Sequence, residues 1–444
     1  MATLIIVNVP EEMVGDIGRI PVEKRRAFGL GAQRMLWYAE DGDVLVLPSP
    51  PGPDFMDHVT GLTGTRASTL RFVIPPPGRF GPDILTADRL VDPVFLRDLA
   101  KTLADRPVDR IICTYSDLAV TAMASAVGVE DALPGHAFSA QGGDALVNSK
   151  AVFRAVAAGN GIPIAPGVIT DRTEHAESAI ESLLADGAVV MVKQQFSGGG
   201  LGNEILSRTD GVRAAGAGSV VVLADREAVQ GYVSDRWEWL TGHRGHSLII
   251  ERYFPDSTTV YAEFVAEDDG CVFRGAGEIL MEPVATGEVI PPQSVRPGEV
   301  AELVEIGRRA CEPFRVMGYR GTLCADAIRT PDGELLFTEV NGRLTASTHL
   351  HVNLVDRVVG RERRDDRVFL ERAGRWAVPS FTEALRRLAD AGLGYDPRSG
   401  LGIVVTADYA AVTGRVTYCA IAKDLDAARS LEERVETLLS DPAS

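Results

Sequence analysis

Gly318-Tyr-Arg-Gly-Thr-Leu-Cys-Ala-Asp326-Ala-Ile-Arg-Thr-Pro-Asp-Gly-Glu-Leu-Leu-Phe-Thr-Glu339-Val-Asn341-Gly-Arg343 sets two apolar, partly alternating runs on either side of Thr330-Pro-Asp-Gly-Glu334. That pattern predicts a β-hairpin with its turn near Pro331 and Asp332. Asp326 then lies opposite Glu339 or one residue off. Glu339 and Asn341 share a face, because strand side chains repeat every two residues, and Arg343 points the same way. Like charges opposed across strands cost up to ~1 kcal/mol. Two readings are open: a solvated acidic surface turn, or a cation site. Two carboxylates and an amide oxygen form a hard oxygen set suited to Mg²⁺, which takes the rest of its shell from water and phosphates.

The bulk composition narrows the function classes. The 444 residues are too many for one core, so two or three domains are expected. With 45 basic and 62 acidic residues the formal charge is −17. This argues against nucleic acid and anionic membrane as partners, since both need a basic footprint. No signal-like segment or apolar run of ~18 residues is apparent, and a soluble, cytoplasmic protein is expected. The cysteines, Cys113, Cys271, Cys311, Cys324 and Cys419, are scattered and odd in number, and read as reduced core thiols. Arginine supplies nearly all the basic residues; only Lys24, Lys101, Lys150, Lys193 and Lys423 are lysine. A compact ammonium suits a phosphate differently from a guanidinium, so each lysine carries some information.

Upstream of residue 145, short apolar strands alternate with helix-period segments: Thr3–Val9, 23–40, Asp43–Leu47, Leu70–Ile74, 92–105, Val108–Cys113 and 116–127. Alternation of this kind implies a doubly wound parallel α/β domain over 1–145. Asn148-Ser149-Lys150 follows, with Ser149 as a helix N-cap. A lysine in the first helical turn opposes the helix dipole unless an anion sits there. The strand Val189–Lys193 leads into Ser197-Gly-Gly-Gly-Leu-Gly-Asn203 and a further strand. This loop lacks a P-loop ending and joins strand to strand, so it reads either as a phosphate-covering flap or as a mobile hairpin tip beside a surface lysine. A helix over 226–235, the pair Trp237 and Trp239, and a buried strand ending at Glu251 come next. Antiparallel strands at 260–265 and 270–275 and a helix over 299–317 then lead to the opening hairpin. His349 and His351 are too few for a closed metal site and are assigned structural or substrate-side roles. The last segment, 361–444, shows helices and strands but no catalytic motif.

Taken in order, these motifs resemble the ATP-grasp superfamily over about residues 146–350, with 1–145 similar to the domain that usually precedes it. The resemblance implies an N-terminal pre-ATP-grasp domain (1–145), a small subdomain with the glycine flap (146–253), a large subdomain with the metal hairpin (254–360) and an α+β extension packing on them (361–444). In it, two α+β subdomains with antiparallel sheets clamp ATP. It further implies that Lys150 and Lys193 hold ATP phosphates beneath a flap formed by Ser197, Gly198, Gly199, Gly200 and Gly202. Glu251, Arg252, Tyr253 and Phe254 would form the adenine hinge; Asp326, Glu339 and Asn341 would ligate Mg²⁺; Arg343, with Arg274 second, would stabilise the transferred phosphoryl group. The implied activity is ADP-forming carboxylate–amine ligation through an acyl-phosphate, on small-molecule or peptide substrates, with a homodimer among the expected assemblies. The tail, the insert at 209–245 and the divergent first domain resemble the peptide ligases of pheganomycin-type antibiotic biosynthesis, in which an unusual amino acid is joined to a peptide amino terminus. A ligase for a free amino acid or small amine, and a non-catalytic ATP-binding regulator, are the competing expectations.

Overall fold

The computed structural model describes residues 2–242 and 244–440. Four parallel strands form the first sheet in the spatial order Arg71–Val73, Val44–Val46, Ala2–Ile6, Val108–Cys113. The two central strands are almost wholly apolar and buried, as strands covered on both faces must be, whereas the edge strands expose Arg71, Asp109 and Arg110. Helices Pro53–Thr63 and Pro93–Ala104 connect successive strands, and Leu118–Ala126 follows the last of them. Asp92 and Asp117 cap the last two through backbone amides. The segment expected as one helix over 23–40 is α-helical to Gly31 and 3₁₀ from Ala32 to Tyr38. That tighter pitch turns Trp37 fully inward.

A second sheet has the order Gly167–Thr170, Leu248–Tyr253, Val189–Gln194, Asn203–Ser207, Val220–Val222. Helices Thr173–Ala185 and Arg226–Thr241 cover one face, through Ile180, Leu184, Val229 and Val233 against Val190, Val192, Leu206 and Ile250. The latter helix is longer than its expected end at 235 and includes both tryptophans, which pack at the margin of this core.

The third sheet has eight strands, antiparallel at every step: Leu335–Asn341, Gly321–Arg329, Thr258–Ala266, Cys271–Met281, Ala285–Ile290, Val368–Ala377, Arg415–Ala422, Gly402–Tyr409. Helix Pro297–Met317 lies across it with Leu303, Gly307, Ala310, Cys311 and Phe314 on one face, at the spacing of a helical stripe. Gly307 lets the helix come close: a Cβ there would meet the Phe264 ring at 3.2 Å. Helix Lys150–Gly159 joins the same core through Phe153 and Ala157.

Residues 361–440 contribute three strands that continue the large sheet, joined where Ala285–Ile290 pairs with Val368–Ala377. The first domain closes against them: Trp37 Nε1 donates to Thr406 O at 3.1 Å, and Arg357 Nη1 donates to Trp37 O at 2.6 Å. All five cysteines are free, and four of them are buried. Among the described residues no helix is long and apolar enough to cross a membrane.

Candidate functional site

The hairpin forms, and Asp326 pairs directly with Glu339; a register shift just after Asp326 bends the strand there. Asn341 Nδ2 donates to Asp326 Oδ2 at 3.0 Å and to Glu339 Oε1 at 3.2 Å. Arg343 Nη1 donates to Asn341 Oδ1 and, at 3.1 Å, to Asn148 Oδ1. Asn148 also accepts from Gly342 N at 3.1 Å and donates to Gly342 O at 3.1 Å, so one buried amide clamps the peptide leading into Arg343. Gly342 is required by that approach: a Cβ would lie 2.4 Å from Val147 Cγ1. Asn148 directly precedes the predicted cap, and no motif in the sequence marks it as a site residue. Ser149 does cap the helix, accepting from Val152 N at 3.2 Å.

Lys150 reaches from the first turn of that helix to Glu339 Oε2 at 2.7 Å and donates to Ser197 O at 2.6 Å. It therefore ties the hairpin to the flap. Lys193 pairs with Glu251, whose other oxygen accepts from Arg154 Nη1 at 2.8 Å. Both lysines are 7% exposed. Burial pushes the Asp326 carboxyl well above its ordinary range, and the neighbouring Glu339 charge adds to this. Burial acts on Glu339 in the same sense, but Lys150, then Arg343 and Lys193, outweigh it and hold that carboxyl below its ordinary range. One carboxylate has its cation and the other lacks one.

A cavity of about 710 Å³ opens at the hairpin, with Asp326, Glu339, Asn341 and Arg343 in its wall. Ser197, Gly198, Gly199 and Gly202 of the flap also line it. The flap is folded down: Ala285 N donates to Gly199 O at 3.2 Å, and a Cβ on Gly198 would lie 3.5 Å from Arg343 Nη2. Gly200 faces elsewhere, packed 2.8 Å (from an added Cβ) against Gly216 O.

The other expected site residues are placed differently. Glu251 is 6% exposed and engaged by Lys193 and Arg154. Arg252 stacks over the Phe254 ring at 5.2 Å. Tyr253 Oη donates to Arg213 O at 3.0 Å and accepts from Ala215 N at 3.1 Å, which fastens the 212–217 loop. None of these four lines the cavity. Arg274 stands at the register shift between Glu263 and Phe264, level with the Cys324–Asn341 pair but two strands over from Cys324, does not line the cavity, and acts on Glu263. His349 and His351 are buried and neutral: burial first, then nearby arginines, lowers both, His351 to about 3.

The residues at the hairpin suit a magnesium ion. Among the described residues no three His, Cys, Asp or Glu side chains converge as metal ligands. Two carboxylates and one amide leave most of a shell to water and phosphate, as Mg²⁺ prefers. The amide of Asn341 presents either its nitrogen or its oxygen on rotation, and a cation would relieve the strained protonation balance at Asp326.

Residues 32–129 match a family described as the Pre ATP-grasp domain, and residues 383–435 match one described as the PGM1 C-terminal domain. No curated protein matches the chain. Among solved structures, it is similar to a biotin carboxylase–β,γ-ATP complex from Campylobacter jejuni (TM-score 0.57, 12% identity, 99% of this chain and 95% of that one). It is likewise similar to N5-carboxyaminoimidazole synthetase from Staphylococcus aureus complexed with ADP (TM-score 0.57, 12% identity, 98% and 97%). A third is the biotin carboxylase domain dimer of Hydrogenobacter thermophilus 2-oxoglutarate carboxylase with MgADP, ADP and bicarbonate (TM-score 0.56, 14% identity, 99% and 94%). The chain thus carries a pre-ATP-grasp domain followed by the ATP-grasp fold of two α+β subdomains.

Proposed function

We propose that this chain is an ATP-dependent carboxylate–amine ligase that releases ADP and phosphate. The observation that carries the reading is the convergence of Asp326, Glu339, Asn341 and Arg343 in the wall of the cavity, with Lys150 bridging Glu339 to the flap. ATP and Mg²⁺ are the cofactors on this reading, in keeping with the ATP- and MgADP-bound similar structures.

A donor carboxylate oxygen attacks the γ-phosphorus, the bond to the β,γ-bridging oxygen breaks, and ADP leaves. The amine then attacks the carbonyl carbon of the acyl-phosphate; the carbon–oxygen bond breaks, phosphate departs with that oxygen, and the nitrogen loses a proton. Mg²⁺, held by Asp326, Glu339 and Asn341, would supply neutralising charge at the phosphates. Arg343, fixed by Asn148, stabilises the oxygens of the transferring group. Lys150 and Lys193 exchange their present carboxylate partners for phosphate oxygens. The folded-down flap keeps water from the acyl-phosphate. Glu251 to Phe254 remain the proposed adenine edge through backbone groups, since their side chains are engaged elsewhere.

The finer reading is peptide ligation in antibiotic biosynthesis, joining an unusual amino acid to a peptide amino terminus. It is supported by the motif order and the tail. A homodimer belongs to the same proposal. The test is a screen of carboxylates against free amino acids and peptides for Mg²⁺-dependent ADP release, with the amide identified by mass. Amide formation with ADP and phosphate supports the ligase; nucleotide binding without turnover on every pair favours the regulator.

A further inference from the structure

The cavity does not end at the hairpin. Its far wall is built by Arg34, Tyr38, Glu288, His349 and Tyr409, from the first domain, the large sheet and the helical turn after the hairpin. Buried polar atoms without a hydrogen-bond partner gather around it: Arg34 Nε, Glu288 Oε2 and His349 Nε2 in the wall, and Glu263 Oε1 and Arg274 Nε behind it. Buried polar groups are ordinarily satisfied, so a cluster of exceptions marks a place made for something else.

The charges there do not balance. Glu288 pairs directly across strands with Glu371. Glu371 is provided for: Arg34 Nη2 donates to its Oε1 at 2.6 Å and Thr406 Oγ1 donates to the same atom at 2.8 Å. Glu263 Oε2 accepts from Thr348 Oγ1 at 2.7 Å and from Ser347 Oγ at 3.3 Å, with Arg274 nearby. Two arginines therefore face three glutamates, and both histidines are neutral. Glu288, 7% exposed, shares Arg34 with Glu371 and interacts with the Tyr261 hydroxyl, but its Oε2 has no hydrogen-bond partner, and burial and the opposed Glu371 push its carboxyl well upward.

We propose that the inner end of the cavity is a subsite for a protonated nitrogen of the substrate, bound at Glu288, with Arg34 Nε and His349 Nε2 facing polar atoms beside it. The substrate whose carboxylate lies at the hairpin then also carries an ammonium group. This rests on the ligase reading of the hairpin end, and the two are tested separately.

The experiment uses the full chain and calorimetry, first with MgADP alone, then with matched probes in its presence that carry the ammonium far from the carboxylate: 8-aminooctanoate against octanoate, and 6-aminohexanoate against hexanoate. At least one cationic member is expected to bind tenfold or more tightly than its uncharged analogue. Glu288→Gln is expected to abolish that preference, leave MgADP affinity unchanged and raise the thermal midpoint, because it removes a charge conflict that a purely structural residue would not create. Equal binding within both pairs, or no binding of any member, overturns the subsite whatever MgADP does. A preference that survives in Glu288→Gln overturns it too. If that variant does not fold, the wild-type pair ratio still decides. A cationic preference without MgADP binding leaves the subsite standing and removes the ligase reading.

Discussion

The two ends of the cavity hold their acidic groups differently. At the hairpin, Glu339 has Lys150 while Asp326 beside it lacks a cation of its own, and outside the cavity Glu251 has both Lys193 and Arg154. At the inner end, Glu288 faces Glu371 and has no cation to itself. The hairpin end is preorganised with internal partners that stand where phosphates and metal would stand, so ligand binding there exchanges one set of ion pairs for another. At the inner end Glu288 has only Arg34, shared with Glu371, and Tyr261 to offset its burial. The first end pays little for waiting; the second loses stability until something fills it.

The largest expected effect falls on the paired end. Glu339→Gln should lower kcat/KM by about 10³, the scale for removing a preorganised charge contact in the transition state. The sequence alone predicts that this variant spares the fold. The buried Lys150 pair changes that expectation: loss of one charge should cost about 3 kcal/mol of unfolding free energy, read by urea titration. Near-normal turnover would remove the metal assignment. Lys193→Arg should lower kcat/KM by about 10², because a guanidinium beside Arg154 displaces the geometry by roughly an ångström; unchanged rate and ATP affinity would take that lysine out of the site. Asn148→Ala should lower kcat about tenfold with KM for ATP unchanged, since Asn148 positions Arg343 without touching substrate.

The smallest effect sharpens the contrast through pH. Glu339 has a depressed carboxyl in the folded state, so its contribution is complete above the ordinary glutamate range and is lost as pH falls through and below it. Glu288 has a raised carboxyl, so the folded state binds its proton more tightly and stability falls as pH rises above the ordinary glutamate range. Glu288→Gln should therefore flatten the loss of stability toward neutral pH, whereas Glu339→Gln should flatten the loss toward acid. Parallel curves for the two variants would contradict the assignment of opposite roles.

Much of the paired end was legible in the chain. The Asp326–Glu339 register follows from one turn signal and a two-residue repeat, and the strand-to-strand flap from a glycine run between apolar segments. The side-chain environment of Glu251 was not legible: Lys193 and Arg154 come from a neighbouring strand and a separate helix, and cross-strand neighbours leave no local signature. The strand Val368–Ala377 is hidden in the sequence because its charged lead-in and the Arg372 and Arg375 within it break the apolar pattern. The inner end was invisible for a related reason. Arg34, Glu288 and His349 lie in three distant segments, with no spacing between them that a motif could record.

The proposed reaction is phosphoryl transfer to a carboxylate at the hairpin. Its most direct measurement uses a donor identified by the ADP-release screen and labelled with ¹⁸O in both carboxylate oxygens, with the released phosphate analysed by mass. One ¹⁸O per phosphate, together with ADP, is the predicted result. Unlabelled phosphate, or labelled AMP with pyrophosphate, would contradict it.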